Sequence, residues 1–412
     1  MPRKRLWITR LLEPSTSALE KSITCAASKS HAAWCDIDFL DPLLIAAFRL
    51  RSAVHVGKAF IASACRDSVR KGARGIAVSD FQAEKHLVRA FHDELARASP
   101  DTVAEILKRY TAPDWHWRGM HPFHEQFGAQ AVADIFWKPF LIAMTRVQRR
   151  PDIFMAGLNE IDGFKGRWVI QMGHLMALFD KPYLGILPTG KIAMLRFVEF
   201  NRVEAGRITE TAMFVDLLHL MTQAGQFPLP PQTGAHLVQP GPMTHEGLMY
   251  ERQDPAVGEL SLAAINALLG NPKANELGIT EGERLQRVWH DDMIWWGPDG
   301  IGASYTIPRY LKQHSEPFSD GLHTGYNFNG HLCRMAEGNF GGFFGWANLT
   351  VFNSGGYLGM TKGPGPSEMR VVDLYRVQDG KLAENWIFID ILNYLAIQGL
   401  DVLGRMQRIR EY

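Results

Sequence analysis

RFVEFNRVEAGRITETAMFVDLLHLMTQAG, residues 196–225, and RVVDLYRVQDGKLAENWIFIDILNYLAIQG, residues 370–399, are one pattern written twice. Arg196 aligns with Arg370 and Arg202-Val203 with Arg376-Val377. Gly206, Glu210, Phe214, Asp216, Leu218 and Gly225 align with Gly380, Glu384, Phe388, Asp390, Leu392 and Gly399. Every pair lies 174 positions apart (390 − 216), with no gap, and Tyr183-Leu184-Gly185 meets Tyr357-Leu358-Gly359 at the same distance. A register held over that length marks an internal duplication. Fainter matches join Trp117-x-Gly119 to Trp295-x-Gly297 and Pro139-Phe140 to Pro317-Phe318.

Each copy reads as helices first, then strands, then a short closing helix. From Phe81 to Leu95, and again from Val103 to Tyr110, apolar residues recur at helical spacing, with Ser99-Pro100-Asp101 between the two runs. Ala129 to Met144 is a further helix. Ile153–Phe164, Trp168–Leu178, Ile192–Val203 and Thr209–Val215 alternate as strands do. Asp216 then opens a helical run that Gly225 closes. The stretch FPLPPQTGAHLVQPGP, 227–242, is too rich in Pro and Gly for an element interior and reads as a linker. The second copy repeats the order, with helices near Leu260–Leu269, Gly282–His290 and Ile307–His314. Helices segregated from antiparallel strands define an α+β class. The expected architecture is two tandem cone-shaped domains, each a strongly curved, mostly antiparallel sheet packed on helices around an apolar cavity. They cover 81–230 and 259–412, with a linker at 231–258 and a basic, poorly ordered N-terminal extension at 1–80.

Composition narrows the function classes. The chain has 412 residues, 46% hydrophobic and 21% charged, and a net charge of +1. Nothing in that balance calls for a nucleic acid or an anionic membrane as partner. No apolar run approaches the ~20 residues of a membrane-spanning helix. Cys25, Cys35, Cys65 and Cys333 form neither a zinc spacing nor a disulfide framework, so a reducing cytoplasm is expected. The Gly-rich WWGPDGIG, 295–302, lacks the Lys-Ser/Thr of a phosphate loop, and no Gly-x-Ser-x-Gly elbow is present.

The chemistry-bearing residues cluster on the repeated strands. Period 2 puts Glu384, Trp386, Phe388 and Asp390 on one face, and Glu210, Ala212, Phe214 and Asp216 on the matching face of the first copy. An aspartate beside aromatics on a concave face has a raised pKa and suits acid/base work. It also immediately precedes a helix, where Asp is a favoured N-cap, and the two roles are compatible. Arg370 and Arg196 are candidates to hold an enolate oxygen or the acid, whereas Arg202 and Arg376 beside turns suit surface pairing. His174 aligns with Asn348, both polar within strands, and His314 and His323 are further polar groups near the second pocket. Trp295 and Trp117 are candidates for pocket walls. His116, His121 and His124 crowd one loop without a carboxylate at metal-ligand spacing, so no metal is expected.

The segment GHLMALFDKPYLGILPTGKIAMLRFVEFNRVEAGRITETAMFVDLLHLMTQAG, 173–225, resembles the C-terminal part of SnoaL-like polyketide cyclases of the nuclear-transport-factor-2-like (NTF2-like) superfamily, and the second copy is similar. The marks are the Gly-bounded turn, the R-V-x-x-G-[RK]-[IL]-x-E hairpin, and a last strand ending in Asp before a helix that closes at Gly. The resemblance implies a curved sheet on three helices around a cavity, and acid/base chemistry without cofactor or metal. Family cyclases close a ring by intramolecular aldol addition, and the aspartate that moves the proton there maps onto Asp390 and Asp216.

These readings lead to an expected function: cofactor-free cyclase or lyase chemistry on a hydrophobic, carbonyl-bearing small molecule. Asp390 would be the base in the second copy, with Arg370, Asn348 and His314 around it and Trp295, Trp386 and Phe388 as the wall. In the first copy Asp216 and His174 are the fallback, with Trp117, Arg196 and Phe214 as ligand contacts. The alternatives are a binding or assembly module without turnover, or an epoxide hydrolase, dehydratase or isomerase. Pairing of the two domains, within one chain or in a homodimer, is also expected.

Overall fold

The described residues of the computed structural model are 80–322 and 326–408; the expected N-terminal extension, three of the cysteines and His323 lie outside them. Both halves belong to one unit, Val78–Tyr412. The first half runs α1 (Gln82–Leu95), α2 (Val103–Tyr110), β1 (Thr111–Gly119), β2 (Glu125–Phe127), a helix α3 over 129–143 with a π-helical middle, β3 (Met144–Leu158), β4 (Arg167–Phe179), β5 (Ile192–Glu204), β6 (Arg207–Val215) and α4 (Leu217–Gln223). The second runs α5 (Pro255–Leu269), α6 (Ala274–Leu277), α7 (Glu281–Gln286), β7 (Trp289–Trp296), β8 (Ser304–Tyr305) and a helix α8 over 307–321, again with a π-helical middle. It continues with β9 (Tyr326–Phe328), β10 (Cys333–Glu337), β11 (Phe340–Phe344), β12 (Leu349–Phe352), β13 (Pro366–Met369), β14 (Val371–Gln378), β15 (Lys381–Ile389), α9 (Ile391–Ile397) and α10 (Val402–Arg408). The class is α+β. No described helix is long and apolar enough to cross a membrane.

Two six-stranded sheets share one topology. The first is ordered β2-β1-β6-β5-β4-β3, the second β8-β7-β15-β14-β11-β10, and in each a single parallel pair (β1 with β6, β7 with β15) joins the early strand to the last. The backbone repeats as faithfully as the letters do. Leu184 and Leu358 both have positive φ (50° and 54°), as do Ala205 and Asp379 (47° and 48°) and the glycines that follow each. Non-glycine residues seldom enter that region, so paired occupancy 174 residues apart reports one shared turn geometry. The Trp-x-Gly match also has a physical cause. A Cβ on Gly119 would strike the ring of Trp117, and one on Gly297 the ring of Trp295.

The sheets have two chemically distinct faces. One is covered by helices and carries Trp115, Trp117 and Phe154 in the first half, and Trp295, Phe343 and Tyr375 in the second, with Phe136 and Tyr394 packing on it from the helices. The other faces the opposite sheet: Trp168, Ile170, Met172, Val198, Phe200 and Phe214 pack with Cys333, Phe344, Val372, Leu374, Trp386 and Phe388 in one buried seam. Sheet faces in contact with each other must both be apolar, and these strands are. Helix α5 starts at Pro255, where the Asp254 side chain accepts the N–H of Ala256 (3.0 Å), a cap inside the expected linker.

Candidate functional site

Strand parity decides where each expected residue falls. Glu384, Trp386, Phe388 and Asp390 do share a face, but it is the seam face rather than a pocket wall. The Trp386 indole N–H donates to the Pro240 carbonyl (3.1 Å), and Phe388 lies under the Arg196 guanidinium (4.0 Å). Phe214 meets Trp346 edge-on at 5.6 Å. An alternating strand has two apolar faces when both are covered, and periodicity alone does not say which is covered by helices.

Asp216 and Asp390 sit at equivalent ends of that seam and clasp the two halves. Asp390 is fully buried and accepts the backbone N–H of His121 from the first half (3.1 Å) and of Asn393 (3.3 Å), and its carboxylate lies 3.4 Å from Arg370. Asp216 accepts the N–H of His219 (2.9 Å) and that of Asp299 from the second half (3.0 Å). Both are the helix N-caps read from the sequence. Burial raises both carboxyls; Arg370 pulls Asp390 back to about 6, and Asp299 beside Asp216 pushes that one higher. Arg196 is buried, donates to the Trp296 carbonyl (3.1 Å) and lies near Asp216. His174 contacts Asp152 at 3.4 Å. The Asn348 side chain accepts the Val371 N–H (2.7 Å), a backbone tie. Arg202 and Arg376 pair with Glu210 and Glu384, both at 2.6 Å, and the second pair is buried instead of exposed.

The helix-covered face presents a different set, and there the two halves diverge. In the first half Glu199 lies 2.9 Å from both Arg149 and His92. Burial pushes its carboxyl up, but Arg149 and His92 outweigh that and hold it at about 2. Arg149 also donates to Gln171 (2.9 Å), so this interior is closed by an ion-paired network. Moving 174 positions along replaces Glu199 by Asp373. Asp373 is buried and held only by neutral groups, the Asn385 amide (3.0 Å) and the Tyr375 hydroxyl. Burial pushes its carboxyl to about 7.

Around Asp373 the second interior is aromatic and polar at once. Trp295 stacks on His314 (4.0 Å), His314 neighbours Tyr310 (5.3 Å) and Phe318 (5.7 Å), and a chain of rings continues through Tyr357 to Tyr394. Tyr310 lies close enough to Tyr375 to act on it electrostatically, and Phe343 links Tyr375 (5.9 Å) to His331 (3.9 Å). The Trp295 and His314 expected at a ligand site are thus together, on the face opposite Asp390. Trp117 holds the equivalent place in the first half, but its partner there is Phe136 where the second half has His314 (295 − 117 = 314 − 136). Four polar atoms of this interior are shielded from solvent without partners: Nδ1 of His314, Nδ1 of His331 and the hydroxyls of Tyr357 and Tyr394. Burial keeps His314 (about 3) and His331 (about 4) neutral. Unsatisfied buried polar atoms cost ~1–3 kcal/mol each and ask for an explanation such as a ligand or ordered water.

Among the described residues, one trio of ligand types, His219, His236 and Asp299, brings a donor atom each within 4.8 Å of the others. The Gln223 amide is oriented by Met194, accepting its N–H (2.8 Å) and donating to its carbonyl (2.9 Å), so an N–H of Gln223 faces His219 Nδ1 (3.0 Å). His219 therefore carries its proton on Nε2, toward the Leu237 carbonyl (3.1 Å). A metal-bound histidine needs an acceptor at its second nitrogen, and here a donor stands there. The trio fits a hydrogen-bond network around Asp299.

No protein-family model and no curated protein matches the chain. Solved structures similar to it include a candidate SnoaL-like polyketide cyclase from Jannaschia sp. CCS1, at 18% identity over 39% of this chain and 100% of that one, with a TM-score of 0.29. An NTF2-like protein from Burkholderia thailandensis E264 matches at 21% over 34% and 96% (TM-score 0.27). IdmH, a candidate polyketide cyclase from Streptomyces antibioticus, matches at 18% over 33% and 99% (TM-score 0.27). The structural neighbours are thus SnoaL-like polyketide cyclases and NTF2-like proteins, each spanning about a third of the chain. The functional reading rests on the side chains themselves.

Proposed function

We propose that each half is a cone-shaped NTF2-like domain and that the second half is the working one. It takes a small, hydrophobic, carbonyl-bearing molecule and performs cofactor-free acid/base chemistry on it, of the aldol, cyclase or lyase kind. The observation that carries this reading is Asp373: a buried carboxyl on the helix-covered face, with no cation beside it among the described residues and a pKa drawn to about 7. A group poised near neutrality can both take and return a proton. In this reading Asp373 abstracts the proton α to the carbonyl, and Tyr375 and Asn385 hold it in place. Neutral His314 and the tyrosine hydroxyls hydrogen-bond the carbonyl oxygen as it gains enolate character. Trp295 and Phe343 provide the apolar walls. Asp390, Asp216 and Arg370 move from the chemistry to the joint between halves, and in the first interior the carboxylate of Glu199 is tied up by Arg149.

Exchange of α-protons of acetylnaphthalene for deuterium, followed by NMR, tests the proposal. Wild-type protein should accelerate exchange, and Asp373→Asn should lower the rate by at least ~10²-fold, the scale of a general base. A folded Asp373→Asn protein with undiminished exchange sinks the acid/base reading. Binding of the ketone without any catalysed exchange would instead favour a binding module of the same fold.

A further inference from the structure

We infer that the second interior admits an uncharged ligand bearing a hydroxyl or carbonyl oxygen and turns away the corresponding carboxylate; this rests on reading that interior as a ligand site. The two copies provide the comparison. Where the first half sets Arg149 and His92 against Glu199, the second sets only an amide and a phenol against Asp373. Among the described residues no lysine or arginine pairs with Asp373, Tyr375, Asn385 or His314. The one arginine acting on His331, Arg334, is itself held by Glu160 at 2.6 Å.

Burial works against charge of either sign in this interior. It favours the protonated carboxyl at Asp373 and the neutral rings at His314 and His331. An entering anion would lose its water, meet a carboxyl and find no counter-charge. An ammonium group would find a counter-charge only where Asp373 is ionised, above about pH 7. A hydroxyl or carbonyl, in contrast, finds the unpartnered Nδ1 of His314 and the Trp295–His314 stack for its apolar body.

Calorimetric titration of the full chain with naphthol, naphthoate and naphthylmethylammonium at about pH 8 tests this. Naphthol should bind at least ~10-fold more tightly than naphthoate, as expected when a charge must be buried unpaired, and the ammonium should weaken at about pH 6, where Asp373 loses its charge. The deficit of naphthoate should narrow at about pH 6, where Asp373 is protonated, and in Asp373→Asn at either pH. Equal affinity for naphthol and naphthoate overturns the charge selection but leaves the ligand site standing. A gap unchanged both by pH and by Asp373→Asn also overturns it. Failure of all three to bind removes the ligand site and this inference with it.

Discussion

Replacing Asp373 with Asn should stabilise the protein, and more so as the pH rises. The carboxyl titrates at about 7 in the folded chain against an ordinary value of 3.8, because burial disfavours its charge. An acid whose folded pKa is raised binds more protons folded than unfolded, so folding weakens as pH climbs from the unfolded value to the folded one. At ~1.4 kcal/mol per decade, the penalty is about 1–2 kcal/mol at pH 5 and levels off near 4 kcal/mol above pH 7. Asparagine keeps the shape and cannot ionise, so it removes that penalty. The variant's advantage should therefore grow by roughly 3 kcal/mol between pH 5 and pH 8, a difference of about 5–10 °C in unfolding midpoint for folded units of this size. Thermal melts of both proteins at the two pH values measure it. An advantage that stays constant with pH would show that Asp373 does not titrate as its burial demands.

The remaining predictions concern the first half and the seam. Glu199→Gln leaves Arg149 buried without a carboxylate and should cost ~3–5 kcal/mol, read by denaturant titration. Because the Glu199 carboxyl is held at about 2, its contribution is present above the unfolded pKa and fades as pH falls toward 2, so the cost should shrink in acid. Trp386→Ala opens a hole in the seam and should cost ~3–5 kcal/mol while leaving naphthol affinity within ~2-fold. A large loss of affinity in that folded variant would return Trp386 to the pocket wall.

Much of the architecture was legible because it is written twice. The 174-residue register predicts paired turns, and Leu184 with Leu358 and Gly206 with Gly380 adopt them. The caps at Asp216 and Asp390 are legible for the same reason: Asp before a helical run has a local meaning. Which sheet face meets helices is not local. The strand from Glu384 to Asp390 has apolar residues on both faces, and only the tertiary fold assigns Trp386 to the seam. Strand parity puts Asp373 and Arg370 on opposite faces, and among the described residues no cation pairs with Asp373. Its alignment with Glu199 was a usable signal. The partners that distinguish the two, the Arg149 guanidinium and the buried His92 ring, come from a strand and a helix far upstream, which no spacing reveals. His331 likewise comes from the loop before β10, outside the stretches whose letters match between the copies.

The most direct measurement is the position of a bound ligand. A crystal structure of the full chain with naphthol should place its ring against Trp295 and His314, with the hydroxyl within hydrogen-bond distance of Asp373 or a tyrosine oxygen of the second half. Density in the seam beside Asp390 and Trp386, with the second interior empty, would contradict the account.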